Sequence, residues 1–201
     1  MLEYAAACAE QGAHTRTISL LTGIPLSQLR AFFRQPLNNQ RGRHPDTREW
    51  YYNANLLSRV EASLIVSIFR RLIKSGLEPP LALLGAYRHY SAHYPAPLRI
   101  SFDRAFDLAA HATRRWIADT TSFSVVACPD CHCEYLTSVT NIVPCHNNEC
   151  PFCKLIRRYI LDTRIQTSYP THPPPGNVLL LGIRSISIQS WTEGQTLNLP
   201  K

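Results

Sequence analysis

The stretch Leu57-Ser-Arg-Val60-Glu-Ala-Ser-Leu64-Ile-Val-Ser-Ile68-Phe-Arg-Arg-Leu72 sets the fold class. Leu57, Val60, Leu64, Ile68 and Leu72 step by three and four, the period of one apolar face on an α-helix. Glu49 suits the start of this helical region, and Gly76, after Lys74-Ser75, suits its stop. Downstream, Glu78-Pro-Pro opens a second helix through Leu81, Leu84 and Tyr87, which Pro95 and Pro97 end. Ser101 then caps a third, with Phe102, Ala105, Phe106, Ala109 and Trp116 on one side. These stripes read as core, from about Glu49 to Thr121. They predict a mainly α protein.

Upstream, Thr17-Ile-Ser-Leu-Leu-Thr-Gly23-Ile-Pro25-Leu-Ser-Gln-Leu-Arg30-Ala-Phe-Phe-Arg34 fits a helix-turn-helix frame. Gly23 takes the turn, where glycine alone is free to adopt a positive φ, and Pro25 suits the first turn of the second helix. Ile18 and Leu21 pack inward, small Ser19 lets the helices approach, and Leu29 and Phe32 face the first helix. Ser27, Gln28, Arg30 and Arg34 are then on the outer side. Arginine reads guanine edges, glutamine adenine edges, and serine a phosphate or base, so the set suits a major-groove reader. Arg41 and Arg43, in Gln40-Arg-Gly-Arg-His, can follow the phosphate backbone or enter a minor groove. No acidic residue occurs from Gln11 to Pro45. The bland alternative is a helical hairpin with a wet polar face.

Cys128-Pro-Asp-Cys131 and Cys150-Pro-Phe-Cys153 form C-x2-C-x18-C-x2-C, the spacing of a tetrahedral zinc site. Two intervening residues let one tight turn present both sulfurs to a single ion, and proline after the leading cysteine pre-sets that turn. Four cysteines close the coordination shell, so the expected Zn2+, one per chain, is structural rather than catalytic. Cys133, Cys145 and His146 lie near enough in the chain to serve as replacement ligands. Thiol redox chemistry is the rival use of a C-x-x-C pair, but no strand–motif–helix frame surrounds it. Lys154, Arg157, Arg158 and Arg164 follow as a second basic patch, either a solvated face or a phosphate contact.

The chain has 201 residues, 45% hydrophobic and 17% charged, which disfavours a disordered segment and allows a core without disulfides. Its 21 Lys+Arg against 14 Asp+Glu, a net +7, point to an anionic partner. Seven cysteines, an odd count, and a start with neither basic nor apolar signal regions predict reduced thiols in a cytoplasmic protein. No apolar run approaches the length of a bilayer span, so no membrane partner is expected. The expected organisation is a helical domain over 1–122 with the helix-turn-helix near 14–35, a zinc module over 123–168, and a Pro-rich hinge and tail over 169–201. Carboxylates are sparse, and there is neither a G-x-S-x-G nucleophile motif nor a phosphate-binding glycine loop; an enzyme is not expected.

A basic helix-turn-helix, a helical core and a four-cysteine region, in this order, resemble the FlhC family, subunits of the bacterial master activator of flagellar genes. The resemblance covers roughly residues 15 to 160. It is carried by Leu26-Ser-Gln-Leu-Arg with the following Phe-Phe-Arg, Glu49-Trp-Tyr, Lys74-Ser-Gly-Leu, Ala86-Tyr-Arg-His-Tyr, Asp103-Arg-Ala-Phe and the two cysteine pairs. It implies a DNA-binding transcriptional activator subunit that works with an FlhD-type partner at flagellar promoters and acts through RNA polymerase. It also implies zinc on Cys128, Cys131, Cys150 and Cys153. From Pro173 onward the chain departs from the family pattern. The alternative function is a zinc-ribbon adaptor that binds RNA or protein without sequence-specific DNA readout.

Overall fold

The computed structural model describes residues 1–33, 49–94, 96–139 and 149–168. The nine helices among them are α1 (Leu2–Glu10), α2 (Thr15–Thr22), α3 (Leu26–Phe32), α4 (Glu49–Tyr52), α5 (Leu56–Lys74), α6 (Pro79–His93), α7 (Phe102–Thr113), α8 (Pro151–Tyr159) and α9 (Thr163–Ser168). Two strands, β1 (Phe123–Ala127) and β2 (Glu134–Ser138), pair antiparallel with Val125 opposite Leu136. The protein is mainly helical, with one small hairpin. Among the described residues no helix is long and apolar enough to cross a membrane. The proposed hinge and tail over 169–201 lie outside the described residues.

The central element is α5. Asn55, not Glu49, caps it: the Asn55 side chain accepts the Ser58 N–H at 2.9 Å, and Glu49 instead opens the separate one-turn α4. The stripe expected to be core is only half-buried at Leu57, Leu64, Ile68 and Leu72, whereas Val60, Ala62, Ile65, Val66 and Phe69 are fully enclosed. The reason is geometric. Helices α6 and α7 pack on α5, and so do β2 and α8, so it is surrounded rather than resting on one face.

That position also buries polar groups. Glu61, with no exposed surface, accepts from the Tyr90 hydroxyl at 2.7 Å and from the Arg99 guanidinium at 2.8 Å. Ser63 accepts the Leu136 backbone N–H at 3.1 Å, tying α5 to β2. Each pairing offsets a desolvation cost that an unpartnered group would carry in full.

Helix α6 opens behind Glu78 with Pro79 and Pro80 in its first turn, where a missing N–H costs nothing. Leu84 and Tyr87 are buried as expected, but Leu81 is exposed. In α7, Ser101 caps the helix by accepting the Arg104 N–H at 3.3 Å, and Phe102, Ala105, Phe106 and Ala109 are core. The helix ends at Thr113 with Arg114 in the left-handed region, so Trp116 belongs to the following loop. It nevertheless stacks on Phe106, ring centroids 5.2 Å apart, and on Phe69 at 6.1 Å. Phe69 and Phe106 are wholly buried, each worth about 1.5–3 kcal/mol of transfer free energy.

Candidate metal centre and basic helix

Helices α2 and α3 form the expected pair. Gly23 ends α2 at φ 72°, and its N–H reaches the Ser19 carbonyl at 2.8 Å. The Ser19 hydroxyl donates to the Ile24 carbonyl at 2.7 Å, fixing the turn from inside. Ile18, Leu21 and Leu29 are buried, but Phe32, expected to face α2, is 61% exposed. Leu29 anchors α3, with Ile24 before it and Phe33 at its end packed against the core, so Ser27, Gln28 and Arg30 face solvent, and Arg16 of α2 is exposed as well. Arg34, Arg41 and Arg43 lie outside the described residues.

The other end of α2 is held by a residue that the stripe of apolar positions does not reveal. Asp103, 1% exposed on α7, accepts the His14 backbone N–H at 3.1 Å and also takes the His14 ring and the Thr17 hydroxyl. His14 is the N-cap residue of α2, so a carboxylate 89 positions away in sequence completes the cap and sits at the positive end of the helix dipole.

The four cysteines converge. Cys128 follows β1 directly, and the turn between the strands carries Cys131; the Cys128 N–H donates to the Cys133 carbonyl at 3.0 Å and the His132 N–H to the Cys128 carbonyl at 2.9 Å. Cys150 is the N-cap of α8 and Cys153 sits in its first turn, so the second pair occupies the positive end of that helix. The strand residues Phe123-Ser-Val-Val-Ala and Glu134-Tyr-Leu-Thr-Ser are rich in β-branched and aromatic types, a signal that could have revealed the hairpin beforehand.

All four sulfurs lie within 4.8 Å of one another, with Cys128–Cys153 and Cys131–Cys150 each at 3.7 Å. A tetrahedron with metal–sulfur bonds of about 2.3 Å has edges of about 3.8 Å, so the cage fits a thiolate-bound ion. None of the four is joined in a disulfide, which would bring two sulfurs to about 2.05 Å. Cys128 and Cys150 are buried, while Cys131 and Cys153 are partly covered.

Burial opposes ionisation of Cys131, but hydrogen bonds from the Cys133 backbone and the neighbouring thiols outweigh it and bring that thiol down to about 7. Burial pushes Cys150 up to about 11. Four adjoining thiolates repel one another, and a central cation removes that penalty. The site can therefore hold a metal ion, closed by four sulfurs and holding the hairpin against α8. Cys133 is exposed, and Cys145 and His146 lie outside the described residues.

Of the second basic patch, Lys154 pairs with Glu149 at 3.1 Å and Arg157 pairs with the same carboxylate. Arg158 and Arg164 are exposed.

The chain matches no protein-family model, and no curated protein is significantly similar to it.

Proposed function

We propose that this chain is a DNA-binding transcriptional activator subunit of the FlhC type. In this reading α3 enters the major groove, and a four-cysteine zinc centre keeps the hairpin and α8 in shape. The observation that carries it is the α2–Gly23–α3 unit, in which α3 buries Leu29 and exposes Ser27, Gln28 and Arg30, within a stretch of chain that has no acidic residue from Gln11 to Pro45. Helix residues at this turn supply base-edge contacts, and the surrounding arginines supply salt-sensitive affinity for phosphates. Zinc is the proposed ion because four cysteine sulfurs at these separations suit a soft-ligand, tetrahedral, closed site.

The reading includes an FlhD-type partner and contact with RNA polymerase at flagellar promoters in the cytoplasm. The test is co-purification with an FlhD-type subunit, followed by binding to flagellar promoter DNA across a salt series. Sequence-selective binding whose affinity falls with salt supports it. Equal binding to promoter and unrelated DNA, with the partner present, overturns it.

A further inference from the structure

Residues 156–161 read Ile-Arg-Arg-Tyr-Ile-Leu, and every one is exposed. Ile156 is 64% exposed, Ile160 76% and Leu161 87%, a cluster of large apolar side chains that costs solubility unless something covers it. The cluster continues a stripe on α8: Phe152, Leu155, Ile156, Tyr159 and Ile160 recur by three and four. Beside it runs a groove of about 390 Å3, formed by Val60 and Leu64 of α5, Tyr94 just after α6, and Phe152, Leu155 and Tyr159 of α8. No lining residue is charged.

We propose that this groove and the α8 stripe are the docking site for an acidic amphipathic helix of a partner protein. The stripe from Phe152 to Ile160 runs for about 12 Å at 1.5 Å per residue, the span of two helical turns. Anchors at i, i+3 or i+4 and i+7 of a partner helix match that track. A compact ligand filling the groove would leave Ile160 and Leu161 wet.

Charge selects the partner. Arg157 and Arg158 interrupt the apolar run, and Arg164 follows on α9. Glu149 pairs with Lys154 and Arg157, and Asp162 accepts the Arg164 backbone N–H at 3.0 Å; the Arg158 and Arg164 guanidinium groups make no ion pair among the described residues, and cations outnumber carboxylates along this edge. A second copy of this chain would bring the same cations against them. Carboxylates on the rim of a partner helix would instead neutralise them, setting orientation and speeding encounter. Phe152 stands between Cys150 and Cys153, so the four-cysteine cluster adjoins one wall of the groove. The surface is formed by α5, α6 and α8, not by α2 and α3, so it stands or falls separately from the DNA reading.

The test pans a display library of random peptides, about 15 residues or four helical turns long, on the full-length chain. Affinities of the enriched peptides are then read by fluorescence anisotropy. Ile156→Asp and Arg158→Glu alter exposed positions, and unchanged circular dichroism and melting certify their folds. Enriched peptides are expected to carry apolar residues at helical spacing with net negative charge. Ile156→Asp should weaken them by about tenfold or more, and Arg158→Glu should weaken them several-fold and flatten their salt dependence. Enrichment without acidic bias, no enrichment, or affinity indifferent to Ile156→Asp overturns the proposal. So do two further results: binding to anionic lipid vesicles in place of peptide, or a dimer in sedimentation equilibrium that Ile156→Asp dissolves.

Discussion

The Asp103 carboxylate on α7 accepts the backbone N–H of His14 at 3.1 Å, and through that bond the core fixes where α2 begins. Removing the carboxylate strands the His14 N–H and the buried Thr17 hydroxyl together. Asp103→Ala should cost about 2–4 kcal/mol in urea denaturation, and amide exchange should quicken first in α2. Thr17→Val, which removes one donor and keeps the volume, should cost less. A stable Asp103→Ala variant with unchanged exchange in α2 would mean that the cap is held by other groups.

The four-cysteine cluster gives a second expectation. Purified chain should carry one tightly held zinc, read by native mass spectrometry. Cys150→Ser should lose it and lower the thermal midpoint, because metal affinity at such a site contributes directly to folding. Cys133→Ser should keep the metal. Fully stable, metal-free protein would exclude a structural centre.

His132 sits at φ 58°, directly after Cys131 of the four-cysteine cluster. The left-handed region costs a residue with a Cβ about 1–2 kcal/mol, and a glycine in the unfolded chain gives back about 0.5–1 kcal/mol. His132→Gly should therefore be neutral to about 1.5 kcal/mol stabilising by the same reckoning. His132→Val should be plainly destabilising, since a β-branched side chain tolerates that region worst. Loss of stability in the glycine variant would show that the imidazole itself supports the turn.

Alkaline pH should loosen the core. Burial pushes the Cys8 thiol from 9.0 up to about 11, and burial, with Asp103 nearby, pushes the Tyr87 hydroxyl from 10.0 up to about 12. Both groups keep their protons in the folded chain at pH values where the unfolded chain has released them. The native state then binds more protons, so unfolding free energy falls as pH rises. The contribution is complete below pH 9 and is lost progressively between about 9 and 12. Denaturation midpoints measured from pH 8 to 11 should decline, with a shallower slope in Cys8→Ala. A flat profile would contradict the burial of both groups.

For the DNA reading, Arg30→Ala should weaken promoter binding by roughly 1–3 kcal/mol and relax preference at one base position if Arg30 meets a base edge. Arg16→Ala should weaken all sequences alike and reduce the salt slope by about one. Unchanged affinity and preference in Arg30→Ala would remove α3 from the groove.

Local signals carried much of this fold. Ser101 as a cap, Gly23 as a turn and the Pro-led cysteine pairs each depend on neighbours within a few residues, so spacing alone located them. What sequence left hidden depends on distant partners. Helix α1, with buried Tyr4, Ala5 and Cys8, is an alanine-rich start whose inward face only the finished core defines. Glu61 looks like a solvated charge until Tyr90 and Arg99 come round to it. Phe32 looked like core because three-residue spacing cannot tell whether a short helix has enough neighbours to cover two large side chains. The four-cysteine cluster was legible in its spacing, whereas the packing of the hairpin and α8 on α5 depends on contacts distant in sequence.

Helix α5 packs against α6, α7, α8 and the hairpin, so few of its positions can change without disturbing a neighbour. Exposed faces such as α3 and α8 are under no such restraint from within the molecule and can drift as binding partners change. Ancestry should therefore remain written longest in α5. A search for distant kin would do best to weight Val60, Glu61, Ser63, Ile65 and Phe69 above exposed positions such as Gln28 of α3 and Ile156 of α8.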